Sequence, residues 1–186
     1  MHAPHQVPSE WCEKYRGKFD AGWDVLREET LARQIKMGVV PAGTELAKTA
    51  DSISAWDSLD ENEKKVFARQ AEVFAAFAEY TDHQVGRLLA AIDDLGKTEN
   101  TLVIYISGDN GTSAEGNHTG NWNWGNMLNG RQETVEEQLA HLDEWGGRET
   151  YPHMSVGWAI AFDTPFAFTK QVAGDFGGTR NGTVIH

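Results

Sequence analysis

The sequence predicts an α/β fold with a mostly parallel central sheet that is incomplete within these 186 residues. A long helical pattern over 59–95 ends at a glycine and is followed by a short run over 101–106 rich in β-branched and aromatic residues. Helix, short turn, buried strand and polar loop, in this order, form one half of a βαβ unit. Because few other segments could pair with that strand, we expect the chain to be a piece of a larger α/β domain.

Composition narrows the classes of partner. Hydrophobic residues make up 40% and charged residues 24%, which is ordinary for a globular domain, so we expect 1–186 to form part of one domain without a second. The formal charge of −12 disfavours nucleic acid and anionic membranes as partners. No apolar run approaches the roughly 20 residues of a membrane span. We therefore expect a soluble protein, and the sequence leaves open whether it is cytoplasmic or periplasmic.

The first half of the chain is predicted to be helical after an irregular start. Residues 1–20 are polar, contain prolines and indicate a loop. A helix is predicted over 23–37, where Gly38 can end it. The strongest helix, over 59–95, begins at a capping box of Ser58 and Glu61 and ends at Gly96. Its length also admits a break near 80–81.

The second half is predicted to alternate short elements with loops. Residues 101–106 indicate a strand buried on both faces. Residues 112–130, rich in Gly, Asn and Trp, are expected to be irregular, and 135–142 suggest a short helix. Further strands are predicted over 156–162 and from 183 onward.

The turn after the predicted strand is a candidate metal site. Ligands of open α/β sheets bind at the carboxyl ends of strands, where Asp109 and Asn110 would place two oxygen ligands for Ca²⁺ or Mg²⁺. Turn chemistry alone also explains Asp109-Asn110-Gly111, because these residue types tolerate unusual backbone angles. The tripeptide by itself leaves both interpretations open.

Basic and nucleophilic side chains are further candidates. Lys170 could hold an anionic oxygen beside a cation site, although a lysine is normally a solvated surface charge. His2 and His5 could act as general acids, although lone exposed histidines are commonly inert. Cys12 lies near Lys14 and Arg16. Because the sequence places no base beside that cysteine, we expect it to be non-catalytic.

Several stretches together resemble one known family. The chain is similar to the central and C-terminal part of a type I sulfatase of the bacterial arylsulfatase kind, in the alkaline phosphatase superfamily, truncated at both ends. The matching stretches span almost the whole chain and keep the family's order: His2-Ala3-Pro4-His5-Gln6-Val7-Pro8, Tyr80 to Leu88, Ser107 to Gly116, Tyr151-Pro152-His153-Met154 and Thr164 to Gly182.

The resemblance implies a fold, a reaction and a set of site residues. It implies part of an alkaline-phosphatase-like three-layer fold, and a sulfuric ester hydrolase acting on a small-molecule sulfate ester. Asp109 and Asn110 correspond to ligands of an active-site Ca²⁺, with Mg²⁺ the less favoured ion. Lys170 and His2 correspond to catalytic residues that contact the sulfate or the leaving-group oxygen. His5 falls on a position that is variable in the family.

One departure concerns the nucleophile. The family makes a formylglycine from the Cys or Ser of a C/S-x-P-S-R motif. Cys12 and Arg16 have the right separation, but Lys14 and Tyr15 replace the Pro and Ser, and the position is downstream of the histidine loop. The formylglycine motif is therefore absent, as are the family's N-terminal acidic pair and its upstream Lys and His. We expect a fragment that is inactive alone.

Two alternatives to the sulfatase hypothesis remain. One is a phosphonate or phosphodiester hydrolase of the same superfamily, which would use two metal ions. The other is a non-catalytic fragment that only binds a metal or an anion.

Overall fold

The computed structural model describes residues 2–108 and 110–186 as a mixture of helices and one small sheet. None of the helices in these ranges is both long and apolar enough to cross a membrane. In chain order the elements are α1 (Ser9–Glu13), α2 (Gly22–Met37), α3 (Glu61–Asp94), β1 (Ile104–Ile106), α4 (Trp124–Leu128), α5 (Val135–Ala140), α6 (Val156–Phe162) and β2 (Thr183–Ile185), with single 3₁₀ turns at Trp56–Ser58, Thr98–Asn100 and Leu142–Glu144.

Helix α3 confirms the strongest helix prediction, with its start displaced by two residues. The carboxylate of Asp60 accepts hydrogen bonds from the N–H groups of Asn62 and Glu63, and the Glu63 side chain accepts one from the N–H of Asp60. Ser58 is not the cap, because its hydroxyl donates instead to the carbonyl of Ala55 in the preceding 3₁₀ turn. The helix runs without a break through residues 80–81.

The C-terminal end of α3 and the whole of α2 follow the predicted pattern. Gly96 has a φ of +63°, and Lys97 donates its N–H to the carbonyl of Ile92. These are the features of a glycine-terminated helix. Gly38 ends α2 in the same left-handed conformation.

The core lies around the N-terminal half of α3. Residues such as Val66, Phe67 and Val73 are buried there, and α1 and α5 pack against the same helix. Helix α6 packs on α2 and contributes Trp158, whose indole N–H donates to the carbonyl of Phe67 at 2.6 Å. Aromatic rings close the core around Trp158 in edge contacts or stacks: Phe19, Trp23, Trp56 and Phe162.

The prediction of a strand over 156–162 was wrong, because this segment is helix α6. A seven-residue apolar run does not distinguish a buried strand from a buried helix by its periodicity. The helix buries Gly157, Trp158, Ala159 and Ala161. Gly157 allows a close approach to α2, since a Cβ there would lie 2.7 Å from the ring of Trp23.

The strand after α3 exists, but its predicted burial was wrong. β1 pairs antiparallel with β2, with Ile104 opposite Ile185, and this confirms a strand near the end of the chain. Ile104 and Ile106 are each 56% exposed, so β1 is not buried on either face. The sheet of the described residues therefore has two antiparallel strands, and the mostly parallel central sheet is not among them. That sheet, the three-layer arrangement and the single-domain assignment stay predictions.

Candidate active site

Two predicted catalytic residues from opposite ends of the sequence meet at one carboxylate. Nε2 of His2 lies 2.6 Å from Oε2 of Glu115, and Nζ of Lys170 donates to Oε1 at 2.9 Å. The side-chain amide of Gln171 also donates to Oε1, at 2.8 Å. Three nitrogen groups therefore converge on a single anionic group, and the same set of donors could receive the oxygens of another oxyanion.

Backbone contacts between two loops bring Lys170 to this position. The N–H of Gly111 donates to the carbonyl of Gly178, and the N–H of Lys170 donates to the carbonyl of Thr112. A Cβ on Gly111 would lie 1.6 Å from the carbonyl oxygen of Gly177, so the approach requires glycine. The loop after β1 and the loop around Lys170 are thus held together by main-chain hydrogen bonds.

Glu115 is ionised in this setting. Partial burial raises the pKa of its carboxyl group, but the hydrogen bonds and charges of Lys170 and His2 outweigh that effect. The net pKa of Glu115 is below its ordinary value. The carboxylate therefore balances the charge of Lys170 while no other anion occupies the site.

A buried histidine forms the inner wall of the site. Nε2 of His153 lies 3.0 Å from the hydroxyl of Ser113, and Nδ1 lies 3.2 Å from the carbonyl of Met154. Burial is the largest cause that lowers the pKa of His153, to about 4. Its imidazole is therefore neutral at neutral pH. The His2 and His153 rings lie 5.7 Å apart, and Trp124 packs beside both.

The predicted metal ligands are only partly covered by the structure. Asp109 lies outside the described residues. Asn110 borders a cleft that Ser107, Thr112, Asp163 and Arg180 also line, and the Asn181 amide, in its favourable orientation, pairs with the Asn110 backbone at 2.8 and 3.1 Å. Apart from that arginine, the polar groups of this lining are amides, hydroxyls and a carboxylate. Such an oxygen-rich lining fits a hard cation such as Ca²⁺.

Asp163 anchors the loop that follows Asn110. Its carboxylate accepts hydrogen bonds from the N–H of Thr112 at 3.0 Å and from the Thr112 hydroxyl at 2.6 Å. Burial is the largest cause acting on Asp163, and it raises the pKa to about 6 despite those hydrogen bonds. The cleft beside Asn110 therefore contains a carboxylate with a raised pKa, and Arg180 in the same lining brings a positive charge to the cleft.

Comparison with known proteins identifies the family. A family model described as Sulfatase matches residues 1–141. The chain belongs to the sulfatase family. It is 39% identical to an uncharacterized sulfatase of Schizosaccharomyces pombe over 117 residues, which are 62% of this chain and 20% of that protein. It is 26% identical to an arylsulfatase of Klebsiella aerogenes over 184 residues, which are 99% of this chain and 38% of that protein. The matched residues thus span about a fifth of the Schizosaccharomyces pombe protein and about two fifths of the Klebsiella aerogenes protein.

Two residues of this candidate site were missed in the sequence analysis. Glu115 occurs in the stretch that resembles the family but suggested no role, because nothing local links it to the distant His2 and Lys170. His153 was given no role because its spacing from other histidines shows no pattern. Glu115 and His153 each lie in a stretch that resembles the family, and this resemblance was the sequence signal that could have identified them.

The remaining sequence candidates, Cys12 and His5, are buried. Cys12 is 1% exposed, and burial is the largest cause that raises the pKa of its thiol, which supports a non-catalytic role. His5 is buried and packs against Phe74 and His153.

Asp163 and His153 have shifted pKa values, and they change the free energy of unfolding in opposite directions between about pH 4 and 6.5. Asp163 has its pKa raised from 3.8 to about 6, so its contribution is full below 3.8 and is lost as pH rises through about 6. His153 has its pKa lowered from 6.5 to about 4, so its contribution is full above 6.5 and is lost as pH falls through about 4. In the unmodified chain, these two effects on the pH dependence of the free energy of unfolding partly cancel.

We expect Asp163→Asn to leave the pH dependence of the free energy of unfolding that comes from His153 without the opposing effect of Asp163. The free energy of unfolding, measured in urea without metal ions, should then rise more steeply between pH 4 and 6.5 than in the unmodified chain. Asp94→Asn, at an exposed position at the end of α3, controls for the loss of a carboxylate. Parallel pH profiles for Asp163→Asn and Asp94→Asn would contradict the assignment.

Proposed function

We propose that this chain is the part of a sulfuric ester hydrolase of the arylsulfatase kind that binds the sulfate group and assists the leaving group. The reaction converts a sulfate monoester into an alcohol or phenol and sulfate. The observation that carries the proposal is the convergence of His2 and Lys170 on one anionic group, Glu115. Membership of the sulfatase family supports it.

Lys170 is proposed to bind a non-bridging sulfate oxygen. Its ammonium group is held by Glu115, and the lysine side chain is 21% exposed. A substrate sulfate would compete with the Glu115 carboxylate for the same ammonium protons. Charge that grows on the sulfate oxygens in the transition state would then be balanced by a group already in position.

His2 is proposed to supply a proton or hydrogen bond to the leaving oxygen. Its side chain is 39% exposed, and the leaving oxygen would replace Oε2 of Glu115 as the partner of Nε2, because Nδ1 faces the carbonyl of Ala3. General acid catalysis needs such a donor most when the leaving group is a poor one. An alkyl sulfate should therefore depend on His2 more than an aryl sulfate does.

Asp109 and Asn110 are proposed to hold a Ca²⁺ ion at the adjacent cleft. When bound, this ion would supply positive charge that neutralises the sulfate oxygens. Asp163 would keep the loop after Asn110 in place through its hydrogen bonds to Thr112. The formylglycine nucleophile of the family has no counterpart in this sequence, so turnover requires a polypeptide segment that provides it.

The test compares two ester classes. We expect the polypeptide that joins this chain to a formylglycine-bearing segment to release nitrophenol from 4-nitrophenyl sulfate faster than from bis(4-nitrophenyl) phosphate. The chain by itself should release none. Preference for the phosphate diester would support the phosphodiester hydrolase alternative instead. Binding of inorganic sulfate without turnover of either ester would support the non-catalytic alternative.

A further inference from the structure

We propose that His2, Glu115 and His153 form a binding site for a divalent transition-metal ion of the Zn²⁺ class, separate from the Ca²⁺ site proposed at Asp109 and Asn110. Each residue offers one ligand atom, and the three atoms lie within 4.8 Å of one another. Within the described ranges this is the group of His, Cys, Asp and Glu side chains that is close enough to share an ion.

The donor set selects the class of ion. Two imidazole nitrogens and one carboxylate oxygen, with a fourth position left for water, are a set that Zn²⁺ accepts in catalytic sites. Ca²⁺ and Mg²⁺ prefer oxygen ligands throughout. The cleft beside Asn110 is lined mainly by oxygen ligands. We therefore expect Zn²⁺ to bind at the His2, Glu115 and His153 cluster and Ca²⁺ to bind at the cleft.

Hydrogen bonds behind the ligands already orient them. Nδ1 of His2 lies 3.2 Å from the carbonyl of Ala3, and Nδ1 of His153 lies 3.2 Å from the carbonyl of Met154. A carbonyl at Nδ1 favours a proton there and leaves Nε2 as the ligand atom. Nε2 of His2 faces Oε2 of Glu115, and Nε2 of His153 faces the hydroxyl of Ser113.

The two oxygens of the Glu115 carboxylate also have different partners. Its Oε1 accepts the hydrogen bonds of Lys170 and Gln171, whereas Oε2 faces His2. One oxygen is thus held by neighbouring donors and the other is directed into the cluster. Carboxylate ligands of metal sites are supported by outer hydrogen bonds of this kind.

Metal binding requires small local movements. Ligand atoms around tetrahedral Zn²⁺ lie about 3.3 Å apart, given bonds of roughly 2.0–2.2 Å. Ligand atoms that lie further apart than this, within 4.8 Å, must therefore approach one another, whereas Nε2 of His2 and Oε2 of Glu115, which are 2.6 Å apart, must separate. Rotation of the partly exposed His2 ring would supply this movement. The hydroxyl of Ser113 must leave Nε2 of His153, and it already lies 3.3 Å from the N–H of Glu115.

Zn²⁺ binding at Nε2 of His2 would replace the hydrogen bond between this nitrogen and Oε2 of Glu115. If His2 also has the role proposed for it in ester hydrolysis, a bound Zn²⁺ would prevent it from donating a proton to the leaving group. Zn²⁺ would then act as an inhibitor of this site.

The test measures Zn²⁺ binding to the untagged chain by titration calorimetry, and ligand geometry by the visible absorption of Co²⁺. We expect one Zn²⁺ per chain and a tetrahedral Co²⁺ spectrum. Glu115→Gln should weaken Zn²⁺ binding on the order of 100-fold, and Gln171→Ala, which removes an outer hydrogen bond, about 10-fold. His118→Ala, at an exposed histidine outside the cluster, should bind as the unmodified chain does.

A second ligand variant distinguishes loss of a ligand from loss of the fold. His2→Gln changes a partly exposed position, whereas substitution of the fully buried His153 could prevent folding. Circular dichroism confirms that each variant is folded. Equal Zn²⁺ affinity in Glu115→Gln, His2→Gln and His118→Ala would overturn the proposal. Ca²⁺ binding that is unchanged in Glu115→Gln would show that the two ions use different sites. None of these measurements depends on ester hydrolysis.

Discussion

Replacing Lys170 by alanine is expected to lower kcat for aryl sulfate hydrolysis by about 10²–10³-fold, the usual effect of removing one preorganised electrostatic partner. The measurement uses the polypeptide that joins this chain to a formylglycine-bearing segment. The substitution removes the ammonium group that would face the sulfate oxygens and leaves Glu115 without its cation. Both effects place uncompensated negative charge at the site, so the loss should appear in kcat and in the binding of inorganic sulfate.

A second lysine provides the matched control. Lys97 follows the end of α3 and is exposed, so Lys97→Ala removes the same charge from the molecule outside the site. Its kcat should equal that of the unmodified enzyme. Equal turnover in the two alanine variants would remove Lys170 from the catalytic machinery. Glu115→Gln combined with Lys170→Ala should be less harmful to sulfate binding than Lys170→Ala alone, because it removes the unpaired carboxylate.

The largest expected loss of stability comes from Trp158→Ala. The indole is fully buried, donates a hydrogen bond to Phe67 and lies against four other aromatic rings. Truncating a large buried aromatic side chain to alanine costs about 3–5 kcal/mol, since apolar contacts are lost and a cavity remains. The free energy of unfolding in urea is the measurement.

The control for this substitution is Leu88→Ala. Leu88 lies on the same long helix that Trp158 packs against, but its side chain is 62% exposed. Its truncation should change the free energy of unfolding by less than about 0.5 kcal/mol. Similar losses in the two variants would mean that the core is not centred on Trp158. Trp158→Phe should fall between them.

The long helices could be predicted from the sequence because their signals are local. Apolar positions recur at helical spacing along α3, and Gly96 and Gly38 mark helix ends. The cap was displaced because Ser58 and Asp60 both precede a glutamate at the right distance. Only the competing bond from Ser58 to Ala55 decides between them, and a local motif does not reveal it.

Features that depend on distant neighbours could not be predicted. The composition of 101–106 suits a buried strand, but burial is decided by what packs on each face, and β2 alone covers neither. In the same way, His2 and Lys170 were candidates from their residue types and were assigned roles through a family resemblance, whereas Glu115 between them was not singled out. Its role exists only because three remote parts of the chain meet, which spacing along the sequence does not encode.

The gradient of burial along α3 has a consequence for local opening. Amide hydrogens around Val66–Ala76 should exchange with solvent only through global unfolding, because that part of the helix is enclosed by the core. The distal turns near Leu88 and the β1–β2 pair are exposed and should exchange through inexpensive local openings. Beyond β1, the Asp163 carboxylate accepts from the N–H of Thr112, and the carbonyl of Gly178 accepts from the N–H of Gly111. We expect these two amides to exchange more slowly than those of β1 do.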